Sequence, residues 1–193
     1  MSVGTVKRGG LAGVLAAALF VICAVIDTVA PIDVVYDSPT EYAFLVASTV
    51  AFLAVVVSVV GVWALKARTG RLRRLATVAA WLVGLGYGLV ALSNVVNLIV
   101  GGRSLNTLRL GFALLMLIGS VILGVIVLVT HLLPWWCGVL LIVAFPLGHF
   151  ANAVFPSAEN VLYVLLWGSV GLALLSRAEV LSEQGAAQPA QIS

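Results

Sequence analysis

The apolar segment "EYAFLVASTVAFLAVVVSVVGVWAL", residues 41–65, is followed directly by the basic segment "KARTGRLRR", residues 66–74. The first segment exceeds the roughly 20 apolar residues that a helix needs to cross a bilayer. The second has the positive charge typical of loops on the cytoplasmic side of a membrane. Together the two segments predict a transmembrane helix whose orientation is fixed by the loop that follows it.

Similar apolar runs recur along the chain. The composition is 63% apolar and 9% charged, whereas a soluble domain has roughly 45–50% apolar and about 25% charged residues. We therefore predict an all-α, polytopic membrane helix bundle with six transmembrane helices in one domain, residues 1–177. The predicted helices cover residues about 10–30, 41–65, 75–100, 109–130, 135–155 and 160–176. The polar segment 178–193 is predicted to be a disordered cytoplasmic tail.

The distribution of charge predicts which ends of the helices face the cytoplasm. Most of the basic residues flank one set of helix ends: Lys7, Arg8, Lys66, Arg68, Arg71, Arg73, Arg74 and Arg177. The loops at the opposite ends contain Asp33, Asp37, Glu41, Glu159, Arg103 and Arg109. By the positive-inside rule both termini are expected in the cytoplasm. The Ala, Val, Leu, Gly and Arg bias favours a multi-pass protein of a bacterial inner (plasma) membrane.

The basic loop allows two interpretations. Its five cations are candidates for contact with anionic lipid or with a partner: Lys66, Arg68, Arg71, Arg73 and Arg74. Alternatively, the same charges serve only to orient the protein in the membrane. The sequence favours the second interpretation, because orientation alone accounts for a cluster of this size.

Several residues predict where helices begin and end. Ser38, Pro39 and Glu41 form the pattern of an N-terminal capping box, which places the start of the second helix there. Gly70 is expected to stop that helix before the third one begins. The two cysteines, Cys23 and Cys137, are expected at different depths and are therefore interpreted as small packing residues, not as a disulfide.

Small residues at four-residue spacing predict close helix contacts. The first helix carries Gly9, Gly13 and Ala17, and the third carries Gly84 and Gly88 one and two turns after Ala80. Both patterns predict packing within one chain. For Gly84 and Gly88 the alternative is a homodimer that forms through this face.

Polar residues near one end of the odd-numbered helices predict a common pocket. The first, third and fifth helices should run in the same direction, so their final turns should reach the same interface. The candidate ligand-binding residues are Asp27, Asn94, Asn97, His149 and Asn152. Residues three apart share a helix face, so His149 and Asn152 should point the same way. Because polar groups are costly to expose to lipid, we expect both to be buried in the bundle. These groups either bind a polar ligand or supply interhelical hydrogen bonds worth about 0.6 kcal/mol each.

The residue inventory argues against several functions. A retinal protein needs a lysine within the membrane, but Lys7 and Lys66 lie at the cytoplasmic edge. His131 and His149 are 18 positions apart, or roughly 27 Å along a helix, which is too far for both to ligate one haem. No metal-ligand spacing is present. We therefore expect no metal, no cofactor and no nucleic-acid partner, with the lipid bilayer as the main surrounding partner.

The segment Pro134-Trp135-Trp136-Cys137-Gly138 opens the fifth helix, within a layout of Ala-, Val-, Leu- and Gly-rich helices joined by short loops. In this the chain resembles small six-helix integral membrane proteins of high-GC bacteria, for which no activity is known. The resemblance covers the membrane portion and implies a multi-pass fold. It implies no activity and no functional residues.

The sequence favours a non-enzymatic role, namely a membrane protein that binds or transports a small polar ligand through the predicted pocket. One alternative is a structural or assembly subunit of a membrane complex. The other is a membrane enzyme that uses His149 as an acid or base.

Overall fold

The computed structural model describes residues 2–29, 38–100, 106–152, 154–155 and 157–187, except for the side chains of residues 67, 68, 106, 107, 109 and 185–187. The described residues form six α-helices and a 3₁₀ segment between the second and third, with no strand among them. The helices are α1 (Val3–Val29), α2 (Pro39–Ala64), α3 (Arg73–Val100), α4 (Asn106–Thr130), α5 (Trp135–Asn152) and α6 (Ala158–Ala187), and the 3₁₀ segment is Leu65–Leu72. All six helices are long and apolar enough to span a membrane, which confirms the all-α, six-helix prediction.

The start of α2 and the break after it are formed as the sequence predicts. Ser38 Oγ accepts a hydrogen bond from Glu41 N at 3.3 Å, and Glu41 Oε2 accepts one from Ser38 N at 2.9 Å. These two bonds make the capping box. Gly70 has a φ of +55°, which breaks the helical path between α2 and α3.

The last helix is longer than the sequence analysis predicts. We expected it to end near residue 176 and residues 178–193 to be disordered, but α6 continues to Ala187. Ala178 is buried and Leu181 packs against the core, so tertiary contacts extend the helix beyond its apolar run. Residues 188–193 lie outside the described part of the chain.

The six helices form a closed ring in which each helix packs antiparallel to the next and α6 returns to α1. One end of this ring, called the polar end, contains the last turns of α1, α3 and α5 and the first turns of α2, α4 and α6. The other, called the basic end, contains the 3₁₀ segment, the start of α1 and the α4–α5 turn. At the basic end Arg177 Nη2 donates to the His131 carbonyl oxygen at 3.1 Å, which ties α6 to that turn.

Glycine contacts bring α1 very close to both of its neighbours. A Cβ added to Gly9 would lie 2.5 Å from Gly61 Cα on α2. A Cβ on Gly13 would lie 2.8 Å from Gly171 Cα on α6, and one on Gly168 would lie 3.4 Å from Ala17 Cβ. The predicted role of Gly9, Gly13 and Ala17 in close helix packing is therefore confirmed.

Gly84 and Gly88 do not pack against another helix of the chain, so the prediction of a within-chain contact at these residues is wrong. A Cβ at Gly84 would meet no atom within 4 Å, and one at Gly88 would only reach Val56 at 4.0 Å. The close contact of α3 is made instead by Gly86, where a Cβ would lie 3.0 Å from Met116 N on α4. Gly86 is two residues from Gly84 and Gly88, and therefore on the opposite side of the helix.

Aromatic side chains fill the middle of the ring. Phe20, Phe52, Tyr87, Tyr163 and Trp167 come from four helices and form a connected set, called the aromatic cluster. Ring centroids lie 5.0 Å apart for Phe20 and Tyr163, and 5.5 Å apart for Tyr87 and Trp167. These distances are typical of favourable aromatic pairs. The cluster links α3 to α6 across the interior, although those helices are not neighbours in the ring.

The two cysteines pack as the sequence predicts. Cys23 and Cys137 are both free thiols with 0% exposure. By contrast, large apolar side chains such as Leu11, Leu53, Trp81, Val129 and Leu172 are exposed on the outer surface of the ring. Such a surface suits contact with lipid.

The glycine contacts predict that Gly171→Ala destabilises the bundle. The new Cβ would lie 2.7 Å from Val14 N and 2.8 Å from Gly10 O, both backbone atoms that cannot move aside without shifting α1. We expect a loss of about 1–3 kcal/mol, as for other overpacked sites, measured as a lower melting temperature in detergent. The matched control is Gly111→Ala on α4, whose Cβ would meet nothing within 4 Å. Equal stability of the two variants would contradict the close α1–α6 contact.

Candidate functional site

Buried polar side chains occur on both α2 and α3 near the polar end. Ser48 on α2 and Ser93, Asn94 and Asn97 on α3 are each 3% exposed or less, and we call them the polar cluster. Asn94 Nδ2 donates to Ser48 Oγ at 3.1 Å, and Ser48 Oγ donates to the Leu45 carbonyl at 3.1 Å. The two helices are therefore joined by a hydrogen-bonded chain within the apolar interior.

Asn97 and Ser93 are the members of the polar cluster without a side-chain hydrogen bond among the described residues. The Asn97 side chain is 0% exposed, and neither Oδ1 nor Nδ2 has a hydrogen-bond partner among the described residues. Ser93 Oγ is likewise buried and unpaired in the described part of the chain. An amide and a hydroxyl together offer both donors and acceptors without a formal charge. This combination suits a small polar molecule, an ordered water or a weakly hydrated cation.

A second polar contact joins α1 to α6 at the same end. Ser157 Oγ donates to Asp27 Oδ2 at 2.9 Å, and it also lies 3.2 Å from the Ala24 carbonyl oxygen and 3.1 Å from Thr28 Oγ1. Ser157 is 3% exposed and has a φ of +72°, a left-handed conformation in which a serine is uncommon. The side chain thereby reaches the end of α1 instead of capping α6. Asp27 is half-buried, and its carboxylate lies beside the start of α6, where negative charge is favourable.

Glu159 connects this end to the aromatic cluster. Tyr163 Oη donates to Glu159 Oε1 at 2.7 Å, and Tyr163 packs against Phe20 and Tyr87. A Cβ at Gly148 on α5 would lie 3.0 Å from Glu159 Cα, so α5 approaches α6 closely at this point. The first turn of α6 is therefore held by α1 on one side and α5 on the other.

His149 and Asn152 are exposed on α5, so the prediction that this pair is buried is wrong. The packed face of α5 contains Leu141, Ala144 and Gly148. His149 is one residue beyond Gly148, which rotates it about 100° away from that face. The His149 ring lies 6.5 Å from that of Phe150, on the outer side of the ring of helices.

The five predicted pocket residues therefore lie at three separate positions in the bundle and do not surround one common pocket. Asn94 and Asn97 share a buried face of α3, as their spacing predicts, while Asp27 is bonded to Ser157 at the α1–α6 contact. Helices α1, α3 and α5 are not neighbours, because each packs against even-numbered helices. The use of these residues for ligand binding stays a prediction, and of the five only Asn94 and Asn97 are buried together on one helix.

Three serines of this region were not among the predicted pocket residues: Ser48, Ser93 and Ser157. Ser93 directly precedes Asn94, and Ser48 lies on the helix that the short basic loop makes adjacent to α3. A search for all polar residues in the outer turns of adjacent helices would have found both. Ser157 precedes Ala158 at the start of α6, the position of an N-cap, so its sequence context gives no indication of its contact with Asp27.

Several predicted charged residues have no described side chain. Asp33, Asp37 and Arg103 lie outside the described residues, and the side chains of Arg68 and Arg109 are not described. Among the residues that the structure describes, no three His, Cys, Asp or Glu side chains come together as metal ligands.

Comparison of the chain with protein-family models, curated proteins and solved structures found no match. The functional assignment therefore rests on the residues and geometry of this chain alone.

The contact between α1 and α6 predicts that Ser157→Ala destabilises the bundle. The change removes the hydrogen bond to Asp27 and leaves a half-buried carboxylate with one partner fewer, so we expect a loss of about 1 kcal/mol. Thermal unfolding in detergent measures this effect. The control is Ser182→Ala, because Ser182 is exposed on α6 and, among the described residues, bonds to the carbonyl oxygen of Glu179 within its own helix. If Ser157→Ala has the same melting temperature as the Ser182→Ala control, the contact between Ser157 and Asp27 contributes no stability.

Proposed function

We propose that this chain is a non-enzymatic integral membrane protein that binds a small polar ligand in the polar cluster. The observation that carries the proposal is the Asn97 side chain, which is 0% exposed and has no partner for either of its polar atoms among the described residues. Buried polar groups are normally hydrogen-bonded. A group outside the chain is the simplest partner for this amide.

Leaving the Asn97 amide unpaired in the interior costs free energy. A buried polar group without a partner costs about 1–3 kcal/mol, and within a bilayer there is no bulk water to reduce that cost. Helix packing alone would be served better by an apolar residue at this position. The asparagine is therefore consistent with a binding role, in which its hydrogen bonds are completed when the ligand is present.

The surroundings of the polar cluster favour a neutral or cationic ligand. Acidic side chains at the polar end include Asp27, Glu41 and Glu159, and most basic residues of the described part lie at the opposite end, with Arg109 in the first turn of α4 as the exception. A small neutral polar molecule or a monovalent cation would be favoured there over an anion.

The position of the aromatic cluster favours binding over passage through the centre. Phe52 is one turn beyond Ser48 on α2, and Tyr87 is two turns before Asn94 on α3, so the aromatic rings lie on the basic side of the polar cluster. Movement of a ligand toward the basic end would require these packed rings to separate. We therefore propose a binding or accessory role, with transport as the less favoured form of the same hypothesis.

A structural or assembly subunit is the second candidate. It is favoured by the hydrogen bond between Asn94 and Ser48, which links helices without requiring a ligand. The enzyme hypothesis is less favoured, because His149 is exposed on α5 and lies away from the polar cluster.

We also propose that both termini face the cytoplasm of a bacterial cell and that the protein resides in the inner (plasma) membrane. The support is the concentration of Lys7, Arg8, Arg71, Arg73 and Arg177 at the basic end, since positive charge is retained on the cytoplasmic side. The polar end would then face outward.

Single-cysteine labelling tests this orientation. Thr40 and Ser182 are exposed near opposite ends of the bundle, and the native cysteines are fully buried and so should react little. A membrane-impermeant maleimide is expected to label Thr40→Cys in intact cells and Ser182→Cys only after the cells are opened. The reverse pattern would invert the proposed topology.

Replacement of Asn97 by leucine tests the proposed ligand site. Because the change removes an unpaired buried amide, we expect the ligand-free variant to be as stable as wild type or more stable. We expect it to lose the thermal shift that a small polar ligand gives the wild type. The assay is thermal unfolding in detergent with a panel of sodium, potassium and ammonium ions, free amino acids and polyols.

Asn152→Leu is the matched control, because it makes the same change at an exposed position. It is expected to retain the ligand-induced shift. If no compound shifts the wild type and Asn97→Leu is clearly destabilised, Asn97 is a structural residue and the second candidate function is favoured.

A further inference from the structure

An apolar groove of about 320 Å³ runs between α2 and α3 in the half of the bundle nearer the basic end. Its floor includes Gly84 and Gly88, which do not pack against another helix, and its sides include Val60 and Trp81. Trp81 is 63% exposed, so the groove opens on the outer surface of the ring. A groove of this kind within a bilayer lies in contact with acyl chains.

A cation lies where the groove approaches the basic end. Trp63 lines the groove at the last turn of α2, and Lys66 Nζ lies 3.3 Å from the centroid of its ring. A lysine over an indole face is held by a cation–π interaction, which fixes the ammonium group beside the groove. Arg73 and Arg74 are exposed on the first turn of α3, the helix that forms the other wall.

We propose that this groove binds one anionic phospholipid, with an acyl chain along Gly84 and Gly88 and the headgroup beside Lys66, Arg73 and Arg74. Charge complementarity selects this occupant. The wall is apolar over about 10 Å of α2 between Val56 and Trp63, and positive charge follows immediately at the depth of the headgroups. An anionic phospholipid matches this arrangement, because its apolar acyl chain can lie along the apolar wall while its negative headgroup lies beside the cations.

A second copy of the chain fits this surface less well. Small residues on a helix favour dimerisation when the surrounding surface lets two backbones approach closely. Here Val60, Trp81 and Leu85 are exposed at the edges of the groove, and they stand between the glycine backbone and an approaching helix. The basic residues beside the groove would also be repeated in a second copy and would repel one another. This inference is independent of the ligand proposed for the polar cluster.

The experiment is native mass spectrometry of the full chain released from nanodiscs of phosphatidylcholine containing a minor fraction of phosphatidylglycerol. We expect the wild type to retain phosphatidylglycerol in preference to phosphatidylcholine. Gly84→Leu places a side chain in the groove, and its Cβ meets no atom within 4 Å, so the helix backbone does not have to move to admit it. Its control is Gly111→Leu on α4, which is equally open.

Lys66→Gln removes the cation beside the groove without filling it, and Lys7→Gln on α1 is its control. We expect Lys66→Gln to reduce retained phosphatidylglycerol by about fivefold relative to its control, the effect of one basic residue at an anionic surface. We expect Gly84→Leu also to reduce it relative to its control, because the new side chain occupies the space of the acyl chain. Equal retention of the two lipids by the wild type would overturn the proposal. So would equal retention by the variants and their controls, or a dimer mass that is lost only in Gly84→Leu, which would identify a second copy as the occupant.

Discussion

The close approach of α1 to α2 and α6 holds the ring of helices closed. Apolar side chains gain little from leaving lipid for a protein interior, so helices within a membrane associate through close packing and hydrogen bonds. Gly9 faces Gly61 on α2, and Gly13 faces Gly171 on α6. These contacts join the first helix to the last. The bond between Ser157 and Asp27 and the placement of the aromatic rings of α6 both depend on that closure.

Much of the fold could be predicted from the sequence, because the constraints that act on it are local. The six apolar runs, the capping box at Ser38 and the break at Gly70 each follow from the chemistry of a few adjacent residues. The identity of the helix that covers a given helix face does not follow from adjacent residues, because it depends on the packing of the whole bundle. Four-residue spacing correctly identified a small-residue face at Gly84 and Gly88, but α4 packs against Gly86 on the other side of the helix. The length of α6 was also missed, because Ala178 is buried by tertiary contacts.

In the candidate site, too, local features could be predicted from the sequence but the packing between helices could not. Asn94 and Asn97 could be predicted to lie on one buried face, since their spacing and the cost of exposing amides to lipid both favour it. His149 and Asn152 have the same spacing, but the packed face of α5 lies one residue away. Serines give a weaker signal, because a serine within a helix often bonds to its own backbone, as Ser48 does to Leu45. Its bond with Asn94 therefore became evident only from the arrangement of α2 and α3.

The central claim is that the buried amide of Asn97 is completed by a group that does not belong to the chain. An experimental structure of the wild-type protein in a lipid bilayer, at a resolution that reveals ordered water, tests it most directly. The account predicts non-protein density about 2.7–3.2 Å from both Oδ1 and Nδ2 of Asn97. An Asn97 amide that pairs with protein atoms, or that packs in a dry apolar interior, would contradict it.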